Sequence, residues 1–123
     1  MGLRFSHADA YFSFTTFHEF RRRLAQLAGI NLEEMQGYTD PPEAGKPWSE
    51  VDDPIVYLLD HSDCDGEISP EECEELAPRL RELLDKWSDE SDDGYAYFQV
   101  NGRQLADGLA ICPAMNHSLQ FYG

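Results

Sequence analysis

A chain of 123 residues, 41% hydrophobic and 12% aromatic, can build one hydrophobic core and is too short for two independent domains. Its formal charge of −15 and pI near 4.3 argue against a nucleic-acid or anionic-membrane ligand, while the apolar content separates it from a disordered acidic tail. No stretch approaches the roughly 20 consecutive apolar residues of a membrane span.

The opening Met1-Gly2-Leu3-Arg4-Phe5 lacks the charged-then-apolar layout of a secretion signal, and Cys64, Cys73 and Cys112 are odd in number without a framework spacing. A cytoplasmic protein with free thiols is the expectation. Residues 31 to 93 hold 21 of the 24 acids and only Lys46, Arg79, Arg81 and Lys86 as bases, a charge of −17, whereas residues 1 to 30 carry +2. The expected partner is therefore a protein with a basic surface, with no nucleic acid and no membrane.

In chain order, Leu3, Phe5, Tyr11, Phe12 and Phe14 suit short strands or an extended arm packed on the core. Thr16 and Glu19 form a capping-box pair, and Phe17, Phe20, Leu24 and Leu27 recur at helical spacing up to Gly29, predicting a first helix. Arg21, Arg22 and Arg23 near its end are expected to complement the helix dipole and pair with local carboxylates. A short helical turn from Asn31 through Met35 follows, then a loop from Tyr38 to Ser49 rich in Pro and Gly, anchored by Trp48. Asp53-Pro54 opens another short helix with Ile55, Leu58 and Leu59 on its apolar face.

That helix leads into the segment with the most chemistry: Asp60-His61-Ser62-Asp63-Cys64-Asp65-Gly66-Glu67-Ile68-Ser69-Pro70-Glu71-Glu72. With Gly66 as the bend glycine, Asp63 and Asp65 fall on the third and fifth positions of an EF-hand loop, Ile68 on the eighth, Ser69 on the ninth and Glu72 on the twelfth. The first position holds His61, with Asp60 one residue early. Calcium prefers about six to eight oxygen ligands. The candidate set is Asp60, His61, Asp63, Asp65, the Glu67 carbonyl, a water on Ser69, and Glu72. Imidazole suits a hard cation poorly, so calcium affinity is expected to be weak. The same residues also make an ordinary Asp-Gly turn followed by a Ser-Pro-x-Glu helix start, with no metal involved.

The exit helix should run from Pro70 to about Trp87, with Cys73, Leu76, Leu80, Leu83, Leu84 and Trp87 on one face and a kink near Glu74 or a break caused by Pro78. A second loop candidate, Asp89, Ser91, Asp93 and Gly94, places Val100 at the twelfth position, which cannot ligate. Tyr95, Phe98, Leu105, Leu109 and Ile111 fit a last helix interrupted by Gly102 and Gly108, and residues 118 to 122 can add an edge strand beside the N-terminal arm. The expected fold is mainly α: one small helical domain over residues 1 to 123, with an EF-hand-like helix-loop-helix and a short β pairing of its N- and C-terminal segments.

The stretch Asp53-Pro-Ile-Val-Tyr-Leu-Leu-Asp-His-Ser-Asp-Cys-Asp-Gly-Glu-Ile-Ser-Pro-Glu-Glu-Cys, continued by Leu76-Ala-Pro-Arg-Leu-Arg, resembles a family of small acidic proteins from actinomycetes and their phages, and Phe20-Arg-Arg-Arg-Leu and Leu105-Ala-Asp-Gly look similar too. The resemblance implies a bacterial or phage origin and no particular activity. Asp60 departs from it, since asparagine would stand there in the family.

Other chemistry finds less support. A zinc set drawn from His61, Cys64, Cys112 and His117 lacks a finger-type spacing. Phosphate-binding glycine loops, nucleophile turns and His-Glu-x-x-His are all absent, so no enzyme is expected. The two functional expectations are a non-enzymatic protein-interaction module with a Ca2+ loop, and an acidic decoy that imitates nucleic acid to block a basic or DNA-binding protein.

Overall fold

The computed structural model describes residues 2–61, 65–87 and 94–123. Two short strands open it, β1 (Gly2–Phe5) and β2 (Tyr11–Ser13), followed by helix α1 (Phe14–Leu27). Single 3-10 turns then occupy Leu32–Glu34, Pro42–Ala44 and Trp48–Glu50, and the one-turn helix α2 (Val56–Leu59) precedes the candidate loop. Strand β3 (Glu67–Ile68), helices α3 (Pro70–Lys86) and α4 (Tyr95–Met115), and strand β4 (Leu119–Tyr122) complete the order. Among the described residues this is a mainly helical fold with a small four-stranded antiparallel sheet, and no helix is long and apolar enough to cross a membrane.

The sheet runs β2-β1-β4-β3, with Leu3 opposite Phe12, Phe5 opposite Phe121, and Ile68 opposite Leu119. The expected pairing of the two ends is present as β1 against β4. One face of this sheet turns Leu3, Phe5, Phe12, Ile68, Leu119 and Phe121 into the core, where α1 covers it with Phe17 and Phe20. Phe12 stacks on Phe20 with ring centroids 4.8 Å apart, and Phe20 continues to Phe98 at 5.8 Å. An aromatic column thus joins the sheet to α1 and α4.

Helix α1 begins earlier than its Thr16-Glu19 pair suggests. Ser13 is the N-cap, its hydroxyl accepting from the Thr16 N–H at 3.2 Å, and Glu19 instead reaches Arg22 at 3.4 Å. Ser13 competes successfully because it also ends β2, so one residue closes the strand and caps the helix. Helix α3 starts as its sequence dictates: Ser69 accepts from the Glu72 N–H at 3.2 Å, and the Glu72 carboxylate accepts from the Ser69 N–H at 3.0 Å, a complete capping box with Pro70 in the first turn. Pro78 does not break it. The carbonyl its ring leaves unbonded belongs to Glu74, an exposed position where water can serve it.

Helix α4 is likewise continuous through Gly102 and Gly108, and both glycines mark close packing. A β-carbon at Gly102 would stand 2.9 Å from Leu84 Cδ2 and 3.0 Å from the Phe20 ring; one at Gly108 would stand 2.8 Å from the His7 carbonyl oxygen. Surface bridges Arg81–Asp107 at 2.8 Å and Arg103–Asp85 at 2.9 Å join α3 to α4 in an antiparallel register.

Candidate functional site

The chain enters the candidate loop through α2, whose four residues are too few to hold a helix by themselves. Its C-terminal carbonyls are closed from outside. Arg21 donates from Nη1 to the His61 carbonyl at 2.6 Å and lies 3.4 Å from that of Leu58, while the Tyr38 hydroxyl donates to the Leu59 carbonyl at 2.8 Å. Arg21 is 5% exposed, and its guanidinium sits 4.5 Å from the Phe17 ring centroid and 5.6 Å from that of Tyr38. Arg21, Arg22 and Arg23, expected to complement the dipole of α1 and pair with local carboxylates, occupy three different settings. Arg22 pairs with Glu19 and Glu33; Arg23 lies over the Trp87 ring; Arg21 points inward because it shares the apolar stripe of Phe17 and Leu24.

The loop's exit is fixed as firmly as its entrance. Gly66 takes φ +92°, a left-handed value that a side chain would strain, and its carbonyl accepts from the Phe121 N–H at 2.9 Å. Ile68 is buried and paired with Leu119. Strand β4 is thus the partner of this segment.

Of the candidate ligands, Asp63 lies outside the described residues. His61 lies flat on the Phe121 ring, centroids 3.9 Å apart, with Nε2 3.1 Å from the Glu67 carbonyl, so one lone pair of that proposed ligand oxygen faces the imidazole. The Glu72 carboxylate is engaged at the Ser69 N–H, and Ser69 Oγ at the Glu72 N–H. Asp65 is exposed, and the Glu67 side chain lies 3.4 Å from Gln120 Nε2. Asp60 closes α2; partial burial raises its pKa, against the opposing effect of His61. Asp60, His61, Glu67 and Glu72 line one cleft of about 420 Å³ together with Trp48 and Tyr57. Asp60 and His61 also border a second cleft of about 600 Å³, formed with His18, Arg21 and Tyr38. Among the described residues, no three His, Cys, Asp or Glu side chains converge closely enough to hold a metal.

Among the described residues, His61, Cys112 and His117 of the set weighed for zinc do not converge. Cys64 lies outside the described residues, as do Asp89, Ser91 and Asp93 of the second loop candidate. Cys112 is buried in α4 beside Cys73, whose thiol burial pushes up to about 12, and Cys73 Sγ is 3.5 Å from the Ile68 carbonyl. His117 meets His7 instead. Both thiols are core groups.

Sequence reasoning missed Arg21 and Tyr38 as the clasp on α2, although Arg21 at helical spacing from Phe17 was a usable signal. It also missed Phe121 as the platform under His61, for which no local signal exists. No family model, characterised protein or solved structure matches this chain.

Proposed function

We propose that this protein is a non-enzymatic interaction module that docks a basic protein surface, with the Asp60–Glu72 loop as an EF-hand-like element taking Ca2+ weakly. The observation that carries the reading is the disposition of charge. Arg22, Lys46, Arg79, Arg81 and Arg103 are bonded to carboxylates of their own chain and Arg21 is buried, leaving Arg4 and Lys86 exposed, whereas Glu71, Glu74 and Glu75 stand exposed on the first half of α3, Glu75 accepting from the Tyr57 hydroxyl of α2, and Asp60, Asp65 and Glu67 are exposed as well. Such an excess of exposed carboxylates favours association with a cationic surface and makes it salt-sensitive. The left-handed Gly66, the buried Ile68 and the Ser69–Glu72 capping box support an EF-hand-like exit from the loop.

The test uses the wild type and a Glu71→Lys/Glu74→Lys/Glu75→Lys variant as affinity baits at low and high salt. The wild type should retain a basic protein at low salt and release it at high salt, and the variant should not retain it. Equal capture by both baits refutes the docking role. Calorimetric titration with calcium to millimolar concentration, with Asp65→Ala as control, checks the loop. An absence of heat, or heat unchanged in the control, removes the cation from the proposal.

A further inference from the structure

Two of the chain's four histidines, His7 and His117, meet outside the acidic loop. His7, in the connection from β1 to β2, places Nε2 3.1 Å from Nδ1 of His117, which follows α4; their ring centroids are 5.3 Å apart. Residues 110 positions apart in sequence are held there by backbone structure on both sides. The Ser6 N–H donates to the Gln120 carbonyl at 3.0 Å, the Gln120 N–H donates to Ser6 Oγ at 2.9 Å, and His117 N–H donates to the Cys112 carbonyl at 2.9 Å. Below them, Gly108 allows the His7 backbone to rest directly on α4.

We propose that His7 and His117 form a two-imidazole chelating site for a borderline transition-metal dication of the zinc, nickel or copper class. Spacing is the first argument. Two nitrogens each about 2.0–2.1 Å from one ion lie about 2.9 Å apart at a right angle and about 3.4 Å apart at the tetrahedral angle; the two rings are hydrogen-bonded at 3.1 Å, between these limits, so an ion that displaces the shared proton needs the rings to turn but the nitrogens to move little. The second argument is support behind a ligand. Ser6 Oγ lies 2.6 Å from His7 Nδ1; in the tautomer with the proton on Nδ1, that nitrogen donates to Ser6 and the Nε2 lone pair is left to ligate an ion. His117 then needs only to carry its proton on Nε2 to present a second lone pair from Nδ1. His117 is exposed and His7 half-buried, so an ion can enter and water can complete its coordination shell. Imidazole nitrogen selects this class of ion over calcium or magnesium, which distinguishes the site from the carboxylate loop.

The experiment is calorimetric titration with zinc in the presence of saturating calcium and magnesium, which occupy oxygen sites, on the wild type and on His7→Ala, His117→Ala and Ser6→Ala. The wild type should bind one zinc; loss of either histidine should weaken affinity about tenfold or more, and Ser6→Ala should weaken it by a smaller factor. Thermal unfolding of the wild type should move upward with zinc, because the ion ties the β1–β2 connection to the end of α4, and the shift should vanish in His117→Ala. His18→Ala and His61→Ala serve as controls and should bind zinc like the wild type. The proposal is overturned if the wild type takes up no zinc, if the His7 and His117 variants bind it undiminished, or if a control variant is the one that loses it.

Discussion

Replacing Arg21 by methionine keeps a long apolar stem between Phe17 and Tyr38 and removes the guanidinium that closes α2. The contact to the His61 carbonyl at 2.6 Å is a charge-assisted hydrogen bond in a buried setting, worth about 1.5–3 kcal/mol. The cation–π contact with Phe17 at 4.5 Å contributes about 1–2 kcal/mol when desolvated. The Leu58 contact at 3.4 Å is too long to count for much. Methionine recovers part of the packing, leaving a net loss of about 2–4 kcal/mol. Unfolding entropy near 2.1 cal/mol/K per residue makes each kcal/mol worth about 4 °C in a chain of 123 residues, so Tm should fall by about 8–15 °C. Arg22→Met is the matched control: Arg22 is exposed, its pairs with Glu19 and Glu33 lie at the surface, and it should lose less than about 1 kcal/mol. Circular-dichroism melts of both variants, with hydrogen exchange at residues 58 to 61, decide the matter. If Arg21→Met melts within about 4 °C of Arg22→Met, the guanidinium is not what closes the helix.

Gly108→Ala gains helix propensity of about 1 kcal/mol but forces a methyl to within 2.8 Å of the His7 carbonyl oxygen and 2.7 Å of Ala8 Cβ. Overpacking against backbone should cost about 1–3 kcal/mol and win. In urea melts Gly108→Ala should be less stable than wild type, and a more stable variant would show that segment 7–8 does not rest on α4. At Asp53, burial pushes the carboxyl up, but hydrogen bonds from Arg79 and the Ile55 N–H, with the Arg79 charge, outweigh it and hold the group below the ordinary carboxylate value. A depressed folded-state pKa contributes stability that is fully present above the unfolded value near about 4 and is lost as pH falls through the folded one. The stability difference between wild type and Asp53→Asn should therefore be constant near neutrality and shrink in acid, and a flat difference down to the acid transition would contradict the assignment.

Local sequence signals located α3 best, because its cap, proline and apolar face all agree between Ser69 and Trp87. They also indicated that the two ends of the chain pair. The start of α1 was misplaced because Thr16 and Glu19 mimic a capping box when Ser13 is not known to end a strand. Gly102 and Gly108 read in sequence as interruptions because their use, close approach by Leu84, Phe20 and the His7 backbone, is tertiary and leaves no periodic trace. Strand β3 has two residues, too few to alternate, so the support it gives the loop could not be anticipated. The loop ligands were named from spacing alone. Spacing does not reveal that the Glu67 carbonyl faces the His61 ring, or that Phe121 lies beneath that ring.

Because Ile68 takes its ladder partner from Leu119 and Gly66 accepts from Phe121, the loop's backbone is completed by a segment some fifty residues downstream. During translation the acidic bend emerges well before the strand that fastens it, so the nascent chain carries an unfastened loop until α3, α4 and β4 have followed it out. Trimming the chain before Leu119 would strand the loop in that immature state while leaving the capping box of α3 intact.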